Sequence, residues 1–202
     1  MGRRWPRVLL FLLTLSCLLA ACWRQTNLGN LPVHLAKKLE EMTGYQLDMV
    51  LTPQNGQELI VTQWYRAPDY LRTDVRAATG ELYYQFFLHH NQLTMRHVPT
   101  GHVEQLALGS ENILFIAPLL RELWQEALAA SWRQVAERPH SFLGEFAWRH
   151  VNGQPELGTL WLNSRSLLPE ELTLFSGDTN AVHLRFSNIT LNPVLSEQLF
   201  QP

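Results

Sequence analysis

From Tyr45 to Leu106 the sequence is a run of short segments with a period of two, each closed by a tight turn, and this pattern admits few folds. Tyr45 to Leu51, Glu58 to Arg66, Tyr70 to Val75, Leu82 to Leu88, Leu93 to Val98 and His102 to Leu106 are rich in β-branched and aromatic residues. Between them stand Pro53-Gln54-Asn55-Gly56, Ala67-Pro68-Asp69, Thr79-Gly80, His90-Asn91-Gln92 and Pro99-Thr100-Gly101. Asn-Gly between alternating segments is the strongest short hairpin signal. Connections this short join only antiparallel neighbours, because a parallel pair needs a crossover of a dozen residues or more. The pattern resumes after Ser141, with Asn152-Gly153 as a second Asn-Gly turn, then Gly158 to Asn163, Glu171 to Phe175 and Ala181 to Ile189. An antiparallel sheet of this many strands curls or packs on itself.

One helical signal precedes the meander, one interrupts it and one closes it. Asn30 precedes Pro32, and Leu31, Leu35, Leu39 and Met42 recur at helical spacing before Gly44. Asn112 to Glu137 lacks a period of two; Leu120, Leu123, Trp124, Ala127 and Leu128 mark one face of a helix that ends before Arg138-Pro139. Val194 to Phe200 suits a last helical turn. The expectation is a mainly β fold with α, of the α+β class. It is a curved antiparallel sheet or half-open β-barrel with helices covering the concave face, formed by one domain over residues 31–202.

The N-terminus states where such a domain would work. Arg3, Arg4 and Arg7 precede an apolar run from Val8 to Leu19, and Leu19-Ala20-Ala21-Cys22 follows. This is a secretory signal peptide over 1–21, with the lipobox pattern of bacterial lipoproteins at its exit. The expectation is lipidation at Cys22, a tether over 22–30, and anchoring in a membrane on its extracytoplasmic face. Two or three acyl chains, palmitate among them, anchor stably where one binds marginally. Cys17 leaves with the signal, so no disulfide or thiolate metal site remains. Beyond Cys22 the chain has 13 basic against 18 acidic side chains, formally −5. That balance argues against nucleic acid as a partner and against a polybasic grip on lipid.

Catalytic signals are sparse. His97 and His102 flank one turn and His89 and His90 sit at another, but zinc wants three or four convergent ligands. Ser110 and Ser176 lack the glycines of a nucleophile elbow, and Glu170 and Glu171 point to opposite faces of a strand. There is no phosphate loop or dinucleotide fingerprint. The reading is a non-catalytic protein with neither metal nor cofactor. What remains is apolar surface: Trp64, Tyr84, Phe86, Phe146, Trp148 and Trp161 on strands, beside Leu59 and Val61, and Phe115, Leu120, Trp124 and Leu128 on the helical segment. These residues either pack as a core or line a groove for an apolar ligand.

The order of elements resembles the lipoprotein-carrier superfamily, the LolA/LolB-like, outer-membrane lipoprotein-sorting-like proteins. The stretches that carry the likeness are Val61-Thr-Gln-Trp-Tyr-Arg-Ala-Pro-Asp-Tyr-Leu-Arg-Thr-Asp-Val75, Leu160-Trp-Leu-Asn-Ser-Arg-Ser-Leu-Leu-Pro169, and Phe186-Ser-Asn-Ile-Thr-Leu-Asn-Pro193 with Leu199-Phe200. Within that superfamily the chain resembles the lipid-anchored, GerS-type germination lipoproteins. The resemblance implies a half-barrel whose groove takes an acyl chain or a lipoprotein segment, with residues 112–137 as its lid. As an alternative it implies a protein-interaction module of the same fold that controls an envelope or spore-germination partner. The carrier closes its lid with an arginine directly before the hairpin proline. Here Ala67 holds that place, and Arg66, one residue earlier, is the candidate for lid closure.

Overall fold

The computed structural model describes residues 27–54, 56–90, 92–106, 117–149, 155–176 and 179–202. The expected signal peptide over 1–21, Cys22 with most of the expected tether, Ser110, Phe115 and the expected Asn152-Gly153 turn lie outside the described residues.

Among the described residues eleven strands form one antiparallel sheet: β1 (Gly44–Pro53), β2 (Leu59–Arg66), β3 (Tyr70–Ala77), β4 (Leu82–His89), β5 (Gln92–His97), β6 (His102–Leu106), β7 (Ser131–Gln134), β8 (Ser141–Arg149), β9 (Pro155–Asn163), β10 (Pro169–Ser176) and β11 (Thr179–Leu191). The spatial order is β6-β5-β4-β3-β2-β1-β11-β10-β9-β8-β7. The chain thus starts mid-sheet and meanders out to β6. It returns through helix α2 (Leu119–Ala127) at the other edge, β7, and meanders back until β11 pairs with β1. Helix α1 (Leu31–Glu41) precedes β1. This is the curved, half-open α+β architecture that the alternation implies.

Register aligns the inward side chains in rows. Tyr45, Tyr65, Leu71, Leu88 and Leu93 stand abreast, as do Leu47, Gln63, Thr73, Phe86 and Met95. On the other half Leu51, Leu184, Leu172 and Leu160 form a row that passes Gly144 and ends at Trp132. With Leu31 and Leu35 of α1 and the apolar face of α2, these rows build one core. Asn192, at φ 52°, fastens the end of β11 to the start of β1. Its Oδ1 accepts from the Thr43 and Gly44 amides at 2.8 and 3.2 Å, and its Nδ2 donates to the Glu41 carbonyl at 3.1 Å.

One expected boundary fails. The helical segment expected to reach Glu137 stops at Ala127, and Ser131–Gln134 joins the sheet as β7. The cause is tertiary. The Trp132 indole lies over Gly144, where an added Cβ would meet ring atoms at 2.7 Å, and its N–H donates to the Ala127 carbonyl at 3.0 Å. Only glycine on β8 leaves room for that ring, and a strand of four residues is too short to announce a period.

Candidate functional site

Helix α2 is the element that turns the curved sheet into a site. Leu119, Leu120, Leu123, Trp124 and Ala127 are all fully buried. A helix opens with backbone N–H groups that have no partner inside it, and Pro118 supplies no side-chain cap. Two sheet residues fill that role. The Leu119 N–H donates to Gln63 Oε1 at 3.1 Å and the Leu120 N–H donates to the Tyr45 hydroxyl at 3.4 Å. The Tyr45 hydroxyl donates in turn to Gln63 Oε1. Gln63 Nε2 donates to Thr73 Oγ1 at 3.2 Å and to the Ala117 carbonyl at 3.1 Å. Burial, outweighing the hydrogen bond from Leu120, pushes the Tyr45 phenol well above its ordinary pKa, so it stays a neutral donor. Further along, Arg121 Nη1 donates to the Tyr65 hydroxyl at 3.1 Å and the Trp124 indole N–H donates to the Leu167 carbonyl at 3.1 Å. Glu122 has a raised pKa, because burial disfavours its charge and Glu126 adds repulsion.

The sequence-derived candidates divide between the two faces of the sheet. Phe86 on β4 and Phe146 and Trp148 on β8 are buried in the core that α2 joins, and the Phe146 and Trp148 rings meet edge-on at 6.0 Å. Tyr84, two residues before Phe86, is 37% exposed. Leu120 and Trp124 are wholly enclosed, and Leu128, just past α2, is 36% exposed. Trp64 and Trp161 stand on the opposite face. Trp64 lies between the inward Gln63 and Tyr65 and carries Arg72 over its ring at 5.2 Å, and Trp161 carries Arg138 at 4.5 Å. Phe115 is outside the described residues.

Arg66 also points away from α2. Its guanidinium stacks on Tyr70 at 4.2 Å and on Phe200 at 5.4 Å, and contacts the Leu195 carbonyl and Glu197 at 3.4 Å. Beside it Arg72 donates to the Leu199 carbonyl at 3.2 Å and holds Asp74 through two bonds of 2.8 and 3.0 Å. Arg76 and Gln85 complete the shell of that buried carboxylate at 3.0 and 3.2 Å. These groups strap the C-terminal segment, with its 3-10 turn Glu197–Phe200, onto the outer face of β2–β4. Arg66 therefore holds the tail, while the contact between α2 and the β2 end is made by Arg121 and Tyr65.

The Tyr45–Gln63–Thr73 network was not anticipated from sequence, although Gln63 signals it. A glutamine at an inward position between Val61 and Tyr65 breaks the apolar pattern, and such a residue needs partners if it is buried. Among the described residues no group of three or more histidine, cysteine, aspartate or glutamate side chains is arranged to hold a metal ion. His97 faces His102 across the β5–β6 hairpin, but its Nδ1 lies 2.7 Å from Thr100 Oγ1 and its ring packs on Tyr84 at 5.0 Å.

No family model matches the sequence, and no curated protein matches it at a significant level. Solved structures do match in fold. An uncharacterized conserved protein from Thermus thermophilus superposes with a TM-score of 0.55 at 9% identity, over 84% of this chain and 92% of that one. A domain assigned to outer-membrane lipoprotein sorting, from Vibrio parahaemolyticus, gives 0.47 at 10% identity, over 83% and 94%. A LolA superfamily protein from Nitrosomonas europaea gives 0.42 at 9% identity, over 84% and 96%. At 9% identity the likeness to the Thermus thermophilus protein is one of fold alone. Among the described residues no helix is long and apolar enough to cross a membrane.

Proposed function

We propose that this protein is a non-catalytic, lipid-anchored extracytoplasmic binding protein that lays an acyl chain, or the apolar part of a lipoprotein, along the inner face of β4–β6. One observation carries the reading: the apolar inner face of the sheet continues past its fully covered part. Phe86 and Leu93 form a buried floor, while Leu88, Met95 and Leu106 are only half-buried and Tyr84 is exposed. A chain laid there would gain roughly 0.8 kcal/mol for each methylene it buries. In this reading α2 is a fixed wall, because its N-terminus is tied to Tyr45 and Gln63. Trp64, Trp161 and Arg66 serve the outer face and take no part. The anchor is the acylated Cys22, and Cys22→Ser leaves a chain that takes up no palmitate analogue; label on that variant would remove the anchor.

A second reading has its own support. The five α2 side chains at zero exposure fill the mouth much as a core residue would, which suits a module that recognises a partner by its surface. The GerS-type resemblance would make that partner an envelope or germination protein. Native mass spectrometry of the detergent-extracted mature protein separates the two. A discrete added mass of an acyl lipid supports the groove, and a bare acylated chain supports the module.

A further inference from the structure

The first described residues of the chain lie in a partly apolar corner of the fold, with charges at its margin on Lys37, Glu126 and Arg133. The first described turn, Leu28–Asn30, packs against β7 and runs directly into α1. β7 is reached from α2 through Leu128, Ala129 and Ala130, and α1 packs on α2. Two uncharged segments therefore meet: Asn27 to Val33, and Ala127 to Trp132. Both leave apolar groups in the open, with Leu128 36% and Val33 69% exposed.

The tether limits what this corner can face. Leu28 is the sixth residue after Cys22, a reach of at most about 20 Å for an extended chain. A domain of this length has a radius of gyration of about 16 Å, so the tether spans roughly half its diameter. The corner is therefore the near side of any molecule held by Cys22. Desolvating charge at a bilayer is costly, and neither segment has any to desolvate.

We propose that the α2–β7 turn around Leu128, with Val33 of α1, is the surface that the protein lays on the bilayer holding its own acyl anchor. The contact is apolar, in keeping with the acidic balance of the mature chain. It fixes the orientation of the half-barrel with α1's N-terminal end towards lipid. This inference rests on lipidation at Cys22.

The test exploits the cysteine count. Once Cys17 is removed with the signal and Cys22 is consumed as a thioether, an introduced cysteine is the sole free thiol. Leu128→Cys, Val33→Cys and, as control, Val194→Cys are labelled with an environment-sensitive fluorophore in the full acylated protein. Val194 is fully exposed, two residues past the Asn192 that binds the Glu41 carbonyl at the far end of α1. In phosphatidylethanolamine–phosphatidylglycerol vesicles with a lipid-borne spin quencher, the labels at 128 and 33 lose most of their fluorescence and the label at 194 keeps it. Equal quenching at all three, or none at 128 and 33 in protein whose intact mass includes the acyl groups, overturns the surface and leaves the anchor standing. An intact mass without acyl groups overturns the anchor and the surface with it.

Discussion

Gln63→Met takes away the group on which α2 is hung while keeping nearly the same volume. Gln63 Oε1 accepts from the Leu119 N–H and from the Tyr45 hydroxyl, and Nε2 donates to Thr73 and to the Ala117 carbonyl. Gln63, Thr73, Tyr45 and Leu119 are all buried. The hydroxyls of Tyr45 and Thr73 can rotate towards other acceptors, but the Leu119 N–H and the Ala117 carbonyl are fixed by the start of the helix. Each polar group orphaned in a buried site costs about 1–3 kcal/mol. The buried Leu119 N–H is one such group and the Ala117 carbonyl, only partly buried, adds less, so the loss is at least about 1–3 kcal/mol, against a total stability for a domain of about 5–15 kcal/mol. Urea unfolding followed by tryptophan fluorescence reads the loss directly as a lower midpoint at unchanged slope. A midpoint equal to that of the native protein would mean that water already reaches the α2 N-terminus, and the account of α2 as a fixed wall would fail.

Two further outcomes follow from the same helix. Trp124→Ala, which empties a fully buried site and strands the Leu167 carbonyl, lowers stability by about 3–5 kcal/mol in the same urea assay. Glu122 has a folded pKa raised by burial, so the folded state holds its proton more tightly than the unfolded chain does. Its ionisation therefore erodes stability as pH rises from the ordinary carboxylate range through the raised value. Glu122→Gln is then more stable than the native protein at neutral pH and equal to it below the ordinary glutamate pKa, a convergence that thermal melts across pH would detect.

The strands were legible because their turns are chemically explicit. Thr79-Gly80 closes β3 with glycine at φ 92°, and Pro99-Thr100-Gly101 closes β5 with glycine at φ 69°. α1 was legible from Leu31, Leu35 and Met42, which are buried together. The faces of the strands were legible too, where parity was respected. Val61 and Trp64 lie three residues apart, so alternation along β2 points them to opposite sides, and the Trp64 ring carries Arg72. β7 was hidden because its place depends on the space above Gly144, a contact made only once the fold exists. The latch on α2 was hidden for a similar reason. Gln63 marks a polar break in an apolar row, but its partners come from β1, β3 and the start of a helix more than fifty residues away in sequence. Arg66, one residue before the position that directly precedes the hairpin proline, has its guanidinium on Tyr70 and Phe200 and beside the Leu195 carbonyl, contacts that its place in the sequence does not announce.

The central claim is that the half-covered inner face of β4–β6, around Leu88, Met95, Leu106 and Tyr84, takes an acyl chain, and a titration with a fluorescent long-chain fatty acid tests it most directly. Tyr84 is exposed enough to tolerate a charge without unfolding the sheet, and it stands over the half-covered part of that face. The account predicts saturable binding of one fatty acid per native chain. It also predicts that Tyr84→Glu weakens that binding by about tenfold or more, since a desolvated carboxylate beside the chain costs upwards of about 1.4 kcal/mol. No saturable binding, or equal affinity in the two proteins, would contradict it.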